Sequence, residues 1–163
     1  MRKHSFIYTI IEEYVEVDAA TKKEIKQIKL TDDKKIPGMN LTSFYDIHKN
    51  LDELVNRKLG YILKSLNLKL SHCWVQKYLK YGHHAVHTHH PKDKSFVWFI
   101  EGNKKSSPVS FYDVGYPYVD INTPKDFKFI PGTLLLFPGY MPHEVRPNKS
   151  NDRLIVSGNL NEL

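Results

Sequence analysis

Cysteine is nearly absent from this chain: of 163 residues only one, Cys73, carries a thiol. A lone thiol closes no internal disulfide, so the sequence reads as one that works in a reducing cytoplasm. Long apolar runs are missing too. No stretch approaches the roughly 20 apolar residues of a membrane-spanning helix, so no membrane partner of that kind is expected. The start, Met1-Arg2-Lys3-His4-Ser5-Phe6-Ile7-Tyr8, is basic, but it soon meets Glu12 and Glu13 and lacks the cleavage site of a secretory leader. Neither an internal repeat nor a low-complexity tract is present. Charge of one sign does not dominate: 24 Lys and Arg stand against 18 Asp and Glu, a net +6, with lysines scattered among acids. That distribution reads as a solvated surface; it leaves nucleic acid open as a partner without pointing to it.

What is present is the composition of a globular protein, 40% hydrophobic and 12% aromatic. The length fits one domain, 1–163, able to bury roughly two-thirds of its unfolded surface. Two parts are expected within it, a helical support over 1–70 and a β-core over 71–163. In the first part, residues 5–17 are β-branched and aromatic and read as one or two strands. Asp18 caps a short surface helix to Ile28, and 31–40 reads as a loop. Ser43-Phe44-Tyr45-Asp46 resembles a capping box. After it, Ile47, Leu51, Leu54, Val55, Leu59, Ile62, Leu63 and Leu66 form the stripe of one long amphipathic helix, which must be buried against a sheet.

From Ser71 the pattern changes to short strands separated by Gly, Pro and Asn. Strands are expected near 72–80, 84–89, 95–101, 108–113, 118–121, 127–130, 133–137, 143–146 and 153–159, as in a sandwich or jelly-roll barrel. The fold class is thus mainly β with N-terminal helices.

Chemistry concentrates in Tyr81-Gly82-His83-His84-Ala85-Val86-His87-Thr88-His89-His90-Pro91, which holds five of the nine histidines. Residues two apart on a strand share a face, so His87 and His89 are expected to point the same way. Imidazole suits iron, zinc, copper and nickel. His143, at the start of a later strand, is the natural third ligand. His83, His84 and His90 read as accessory, and His4, His48 and His72 as ordinary surface or satisfied residues. A ligand set of two histidines and one carboxylate would need an acid where His89 stands. Asp93 is the reserve ligand for that case, while the three-histidine set His87, His89 and His143 is preferred.

Ten residues beyond His143, Arg153, Ile155, Ser157 and Asn159 share one strand face, with Leu154 and Val156 on the other. An inward arginine is costly unless paired. A carboxylate ligand would pair it bidentately, with the Ser157 hydroxyl adding a hydrogen bond.

Together these residues resemble the 2-oxoglutarate and Fe(II)-dependent oxygenases, in particular the small bacterial and phage group related to prolyl 4-hydroxylases. The resemblance runs from about Trp74 to Asn159. It rests on Gln76 to Gly82, on His87-Thr88-His89-His90-Pro91, on Ser95 to Ile100, and above all on Pro131-Gly132-Thr133-Leu134-Leu135-Leu136-Phe137-Pro138 leading to His143. It implies a double-stranded β-helix and a hydroxylase that uses Fe(II), O2 and the small co-substrate 2-oxoglutarate, coupling decarboxylation to succinate with oxidation of a substrate C–H bond. Arg153 would grip the distal carboxylate, with Ser157 and Asn159 on its face. Two departures stand out. The middle ligand is His89 where most of the superfamily has Asp, and a strand position that is often Tyr is here Phe99, so the hydroxyl is looked for on Tyr78. Trp74, Trp98 and Tyr140 are candidates for pocket walls, with core packing the commoner role.

Two other readings share the barrel. A cupin enzyme would use Gly82, His87, His89 and Asp93 with Gly132, Pro138 and His143, and would need no Arg153. A non-catalytic ligand-binding module would need neither. The primary substrate is open among a peptide or protein side chain, a metabolite and nucleic acid, and nothing fixes an oligomeric state.

Overall fold

A computed structural model describes residues 9–90, 93–113 and 124–163. The strand expected at 118–121, the first residues of the one expected at 5–17, and Pro91 lie outside them. The described elements in chain order are β1 (Ile11–Tyr14), α1 (Ala19–Lys26), β2 (Thr31–Asp32), β3 (Asn40–Thr42), α2 (Lys49–Ser65), β4 (Leu68–Tyr78), β5 (His84–His87), β6 (Lys94–Glu101), β7 (Val109–Phe111), β8 (Lys125–Phe127), β9 (Thr133–Pro138), β10 (His143–Val145) and β11 (Arg153–Glu162). They form a large antiparallel sheet, β1-β9-β6-β11-β4-β3-β2, and a smaller one, β5-β10-β7-β8.

The large sheet is buried on both faces, and its sequence shows why. Phe96, Trp98 and Ile100, Leu134 and Leu136, and Leu154 and Val156 join one core with the helices. Their alternating neighbours Val97, Phe99, Leu135, Phe137 and Ile155 join a second core with Val109, Phe111, Phe127 and Val145 of the small sheet. A period of two with both phases apolar gives the continuous runs Phe96 to Ile100 and Leu134 to Phe137. The functional face is the second, between the sheets.

Two helices, not one, cover the other face. α2 buries Leu51, Leu54, Val55, Leu59 and Leu63, each contributing about 1.5–3 kcal/mol relative to exposure. α1, expected at the surface, buries Ile25 and Thr21 and adds to the same core. Asp18 caps it by accepting from the Thr21 backbone N–H at 2.7 Å.

Three expectations are corrected. The capping box at Ser43 does not open the long helix: α2 begins at Lys49 behind His48, which makes no side-chain cap. Ser43 is engaged by the sheet instead, its hydroxyl accepting from the Val75 N–H at 3.0 Å, and Ile47 is left 81% exposed. The 31–40 loop contributes strand pairs at both ends, because Asn40, Leu41 and Thr42 ladder onto Tyr78, Lys77 and Gln76 of β4. Finally, β4 starts at Leu68, earlier than expected, since the chain enters it directly from α2. Among the described residues no helix is long and apolar enough to cross a membrane.

Candidate active site

β5 and β10 pair antiparallel with His87 directly opposite His143. Side chains so paired start about 5 Å apart on one face, so two imidazoles meet by register alone. Their ring centroids are 4.2 Å apart. His143 is 4% exposed and is held edge-on by Phe137 at 4.8 Å.

His89 arrives differently. The sequence places it on the strand of His87, but β5 ends at His87. Beyond it the segment Thr88-His89-His90-Pro91 runs into a proline, which has no N–H for a ladder. The His89 backbone N–H instead donates to the Gly139 carbonyl at 2.6 Å, and the Gly139 N–H donates to the Asp93 carbonyl at 2.8 Å. The turn between β9 and β10, which delivers His143, thereby also fixes His89. The three candidate ligand nitrogens lie within 4.8 Å of one another.

Hydrogen bonding decides which nitrogens are offered. Nδ1 of His87 lies 2.8 Å from the Ala85 carbonyl, and Nδ1 of His143 lies 2.9 Å from the Met141 carbonyl. A carbonyl only accepts, so both rings carry their proton on Nδ1 and present a bare Nε2. Burial depresses the basicity of all three rings, His89 to about 4; neighbouring imidazoles add to the effect at His89 and His143, and the Lys35 ammonium adds to it at His87 and His89. Neutral imidazoles gathered in this way are the donor set for iron, nickel, zinc or copper.

Gly139 is the keystone of this arrangement. A Cβ there would stand 2.6 Å from the His90 carbonyl and 2.9 Å from that of Asp93. Both are backbone atoms that cannot turn aside. Gly139→Ala is therefore expected to push the His89 segment outward and weaken Ni(II) binding roughly tenfold or more, measured by isothermal titration. Unchanged affinity would show that this clamp does not set His89.

The other histidines separate cleanly. His84 stacks on His87 at 3.9 Å, and burial holds it near a pKa of about 3. The His83 carbonyl accepts from Asn40 Nδ2 at 2.8 Å. His90 faces the Asp93 carboxylate at 3.6 Å. Asp93 thus turns away from the triad, and no carboxylate joins the cluster among the described residues.

Arg153 lies on β11 opposite Tyr78 of β4. It is fully buried, with its guanidinium 4.3 Å from the Tyr78 ring centre and 5.2 Å from that of Phe129. Nε donates to the Ser107 carbonyl at 2.9 Å. Nη1 and Nη2 make no hydrogen bond within the described residues. Burial pulls the guanidinium below its ordinary pKa, partly offset by Tyr78, and pushes the Tyr78 hydroxyl up. Arginine remains charged even so. Two buried cationic NH2 groups without acceptors among the described residues fit an anion.

Ile155, Ser157 and Asn159, on the same strand face, line a cavity of about 220 Å³ with His87, His89, His143 and Tyr78. The Asn159 side-chain Oδ1 also accepts from the Ser95 hydroxyl at 3.3 Å. Trp74 walls the cavity. Trp98 belongs to the helix-side core, Tyr140 lines a separate depression, and Phe99 stacks on Phe129 at 4.6 Å.

Sequence reading missed Asp33, Lys35, Phe44, Tyr45 and Gln76, all at the cavity. Gln76 was accessible through the alternation Trp74, Gln76, Tyr78. The rest sit in segments that read as a polar loop and a helix cap.

No family model and no curated protein matches the sequence. Solved structures do match. An oxidoreductase of the 2OG-Fe(II) oxygenase family from Burkholderia pseudomallei superposes with a TM-score of 0.70 at 15% identity, covering 93% of this chain and 84% of that one. The fold is that of the 2OG-Fe(II) oxygenases. A Pseudomonas putida prolyl-4-hydroxylase gives a TM-score of 0.63 at 16% identity over 96% of this chain and 94% of its own. HygX from Streptomyces hygroscopicus, solved with nickel, 2-oxoglutarate and hygromycin B bound, gives 0.72 at 9% identity over 94% and 82%. The oxygenase fold accounts for the two sheets enclosing one cavity and for the helices outside them.

Proposed function

We propose that this chain is a single-domain, cytoplasmic Fe(II)- and 2-oxoglutarate-dependent dioxygenase that hydroxylates a peptide or protein side chain or a small molecule. The observation that carries the reading is Arg153, a fully buried cation whose two terminal NH2 groups have no hydrogen-bond partner among the described residues, on the strand that lines the cavity of the histidine triad. A cupin enzyme on this barrel has no use for it.

His87, His89 and His143 would hold the metal through neutral nitrogens. Bound Fe(II), with 2-oxoglutarate and O2, supplies the oxidising chemistry, in which decarboxylation to succinate accompanies hydroxylation of a substrate C–H bond. The rest is the work of the chain. Arg153 accepts the distal carboxylate as a bidentate partner, with the Ser157 hydroxyl beside it and Asn159 further along the same face. The Tyr78 ring keeps the guanidinium flat and in place. Carbonyls of Ala85 and Met141 hold the protons on Nδ1, so His87 and His143 do not need to lose one on binding. Trp74, Val97 and Ile155 make the walls apolar and keep water from the reacting centre.

Anaerobic titration of 2-oxoglutarate into the Fe(II)-loaded protein tests this. The expected result is a weak visible charge-transfer band that saturates with 2-oxoglutarate and is lost in Arg153→Ala. No band, together with 2-oxoglutarate binding that survives Arg153→Ala, would sink the reading.

A further inference from the structure

The cavity has an inner end, where the triad and the Arg153 strand meet, and an outer rim built from the first half of the chain. That rim carries two opposite charges. Asp33 is 7% exposed. Its Oδ1 accepts from the Lys35 backbone N–H at 2.9 Å, and its Oδ2 accepts from Gln76 Nε2 at 3.1 Å. The Tyr45 hydroxyl donates to Oδ1 at 3.4 Å. All three donors are neutral, and no Lys, Arg or His lies within ion-pair distance among the described residues. Lys35 also lines the cavity, is exposed, and forms no ion pair either. Its ammonium is near enough to help depress His84, His87 and His89.

A buried carboxylate without a cation is costly unless a ligand supplies one. An ammonium two residues away, carried by the same turn, offers a site for the opposite charge. Between them the rim is aromatic: Phe44 meets Trp74 edge-on at 4.9 Å and Tyr45 edge-on at 5.6 Å. Phe44 is nonetheless 47% exposed and Tyr45 40%.

We infer that the substrate is a zwitterion, a free α-amino acid with an apolar or aromatic side chain. Its ammonium is held by Asp33 and its carboxylate by Lys35, and the side chain runs past Phe44, Tyr45 and Trp74 toward the triad. This rests on the oxygenase reading for the inner site and adds the substrate class to it. The two charges are not equivalent. Asp33 is desolvated, so losing its partner costs more; Lys35 is exposed and screened by salt.

The experiment uses the full chain loaded with Ni(II) and 2-oxoglutarate, whose binding is first measured by titration. The proteinogenic α-amino acids are then tested as probes by calorimetry, and each one that binds is compared with its N-acetyl and C-amide derivatives. The expected result is binding of at least one apolar or aromatic amino acid. N-acetylation should weaken it roughly tenfold or more and amidation by a smaller, salt-sensitive factor. Asp33→Asn should remove the penalty for acetylation and Lys35→Gln the penalty for amidation. Because the derivative series uses the unmodified protein, it stands even where Asp33→Asn fails to fold.

Three outcomes overturn the inference: no amino acid binds to the loaded protein, capped derivatives bind as well as free ones, or neither substitution changes the pattern. Capped derivatives binding equally well would point to a peptide substrate. Failure to take up Ni(II) or 2-oxoglutarate at the outset would instead defeat the oxygenase reading.

Discussion

Arg153→Met is expected to raise the melting temperature of the metal-free, ligand-free protein while abolishing its affinity for 2-oxoglutarate. The two effects have one cause. In the free chain the guanidinium is fully buried, donates from Nε to the Ser107 carbonyl and is stacked between aromatic rings, with no partner for Nη1 or Nη2 among the described residues. Desolvating a charge costs several kcal/mol, and replacing buried ions by apolar groups of similar volume is often stabilising by about 1–4 kcal/mol. Against this stand the lost hydrogen bond, about 1 kcal/mol, and the lost cation–π contact, about 1 kcal/mol. The balance centres on a gain of about 0.5 kcal/mol, or about 1–2 °C for a chain of this size.

Ligand binding responds in the opposite direction. Removing one partner of a buried charge pair costs about 3–5 kcal/mol, two to three orders of magnitude in affinity. Saturating 2-oxoglutarate should therefore raise the melting temperature of the original protein and leave that of Arg153→Met unmoved. Thermal unfolding with and without the co-substrate reads both. A variant that is less stable than the original and still gains stability from 2-oxoglutarate would show that Arg153 is a structural residue and not the anion site.

The second large effect concerns the triad. His143→Gln keeps the volume packed against Phe111 and Phe137 but removes the bare Nε2. Ni(II) affinity should fall by well over the 10–100-fold typical of losing an outer hydrogen-bonding partner. His87→Gln should match it. His89 is the informative position, because it alone lies past the end of its strand. His89→Asp exchanges the imidazole for a carboxylate and should retain Ni(II), since a third donor remains. His89→Ala should lose it. Equal affinity in His89→Ala and the original protein would mean the metal needs only the cross-strand pair, and that His89 serves another purpose.

What the sequence allowed, and what it did not, follows from how each residue reaches the site. His143 and the Arg153 strand could be read because a strand has one simple periodicity; once β10 and β11 are placed, their faces follow. The runs at Phe96 to Ile100 and Leu134 to Phe137 could likewise be read as strands, but their cover on both faces shows only in the fold. His89 joins the candidate cluster by a different local route from the one its sequence spacing suggests. Strand alternation implied its direction, whereas the Gly139 carbonyl sets it. The start of α2 was misread because a capping box is a pattern of three or four residues, and Ser43 satisfies its hydroxyl just as well on Val75 of a strand 32 residues away. Asp33 was illegible for the same reason on a larger scale. Its partner Gln76 lies 43 residues further along, and in sequence it is one acid in a polar loop.

The division of the cavity between the two halves of the chain has a consequence for how such a protein could diversify. The triad, Arg153 and Ser157 all come from β5, β10, β11 and the segments joining them. Asp33, Lys35, Phe44 and Tyr45 all come from the stretch between α1 and α2. That stretch joins the large sheet as its last two strands, β3 and β2, and carries none of the groups on which metal or co-substrate would depend. Grafting residues 31–46 from one such protein to another is a way to exchange what is oxidised while leaving how it is oxidised in place.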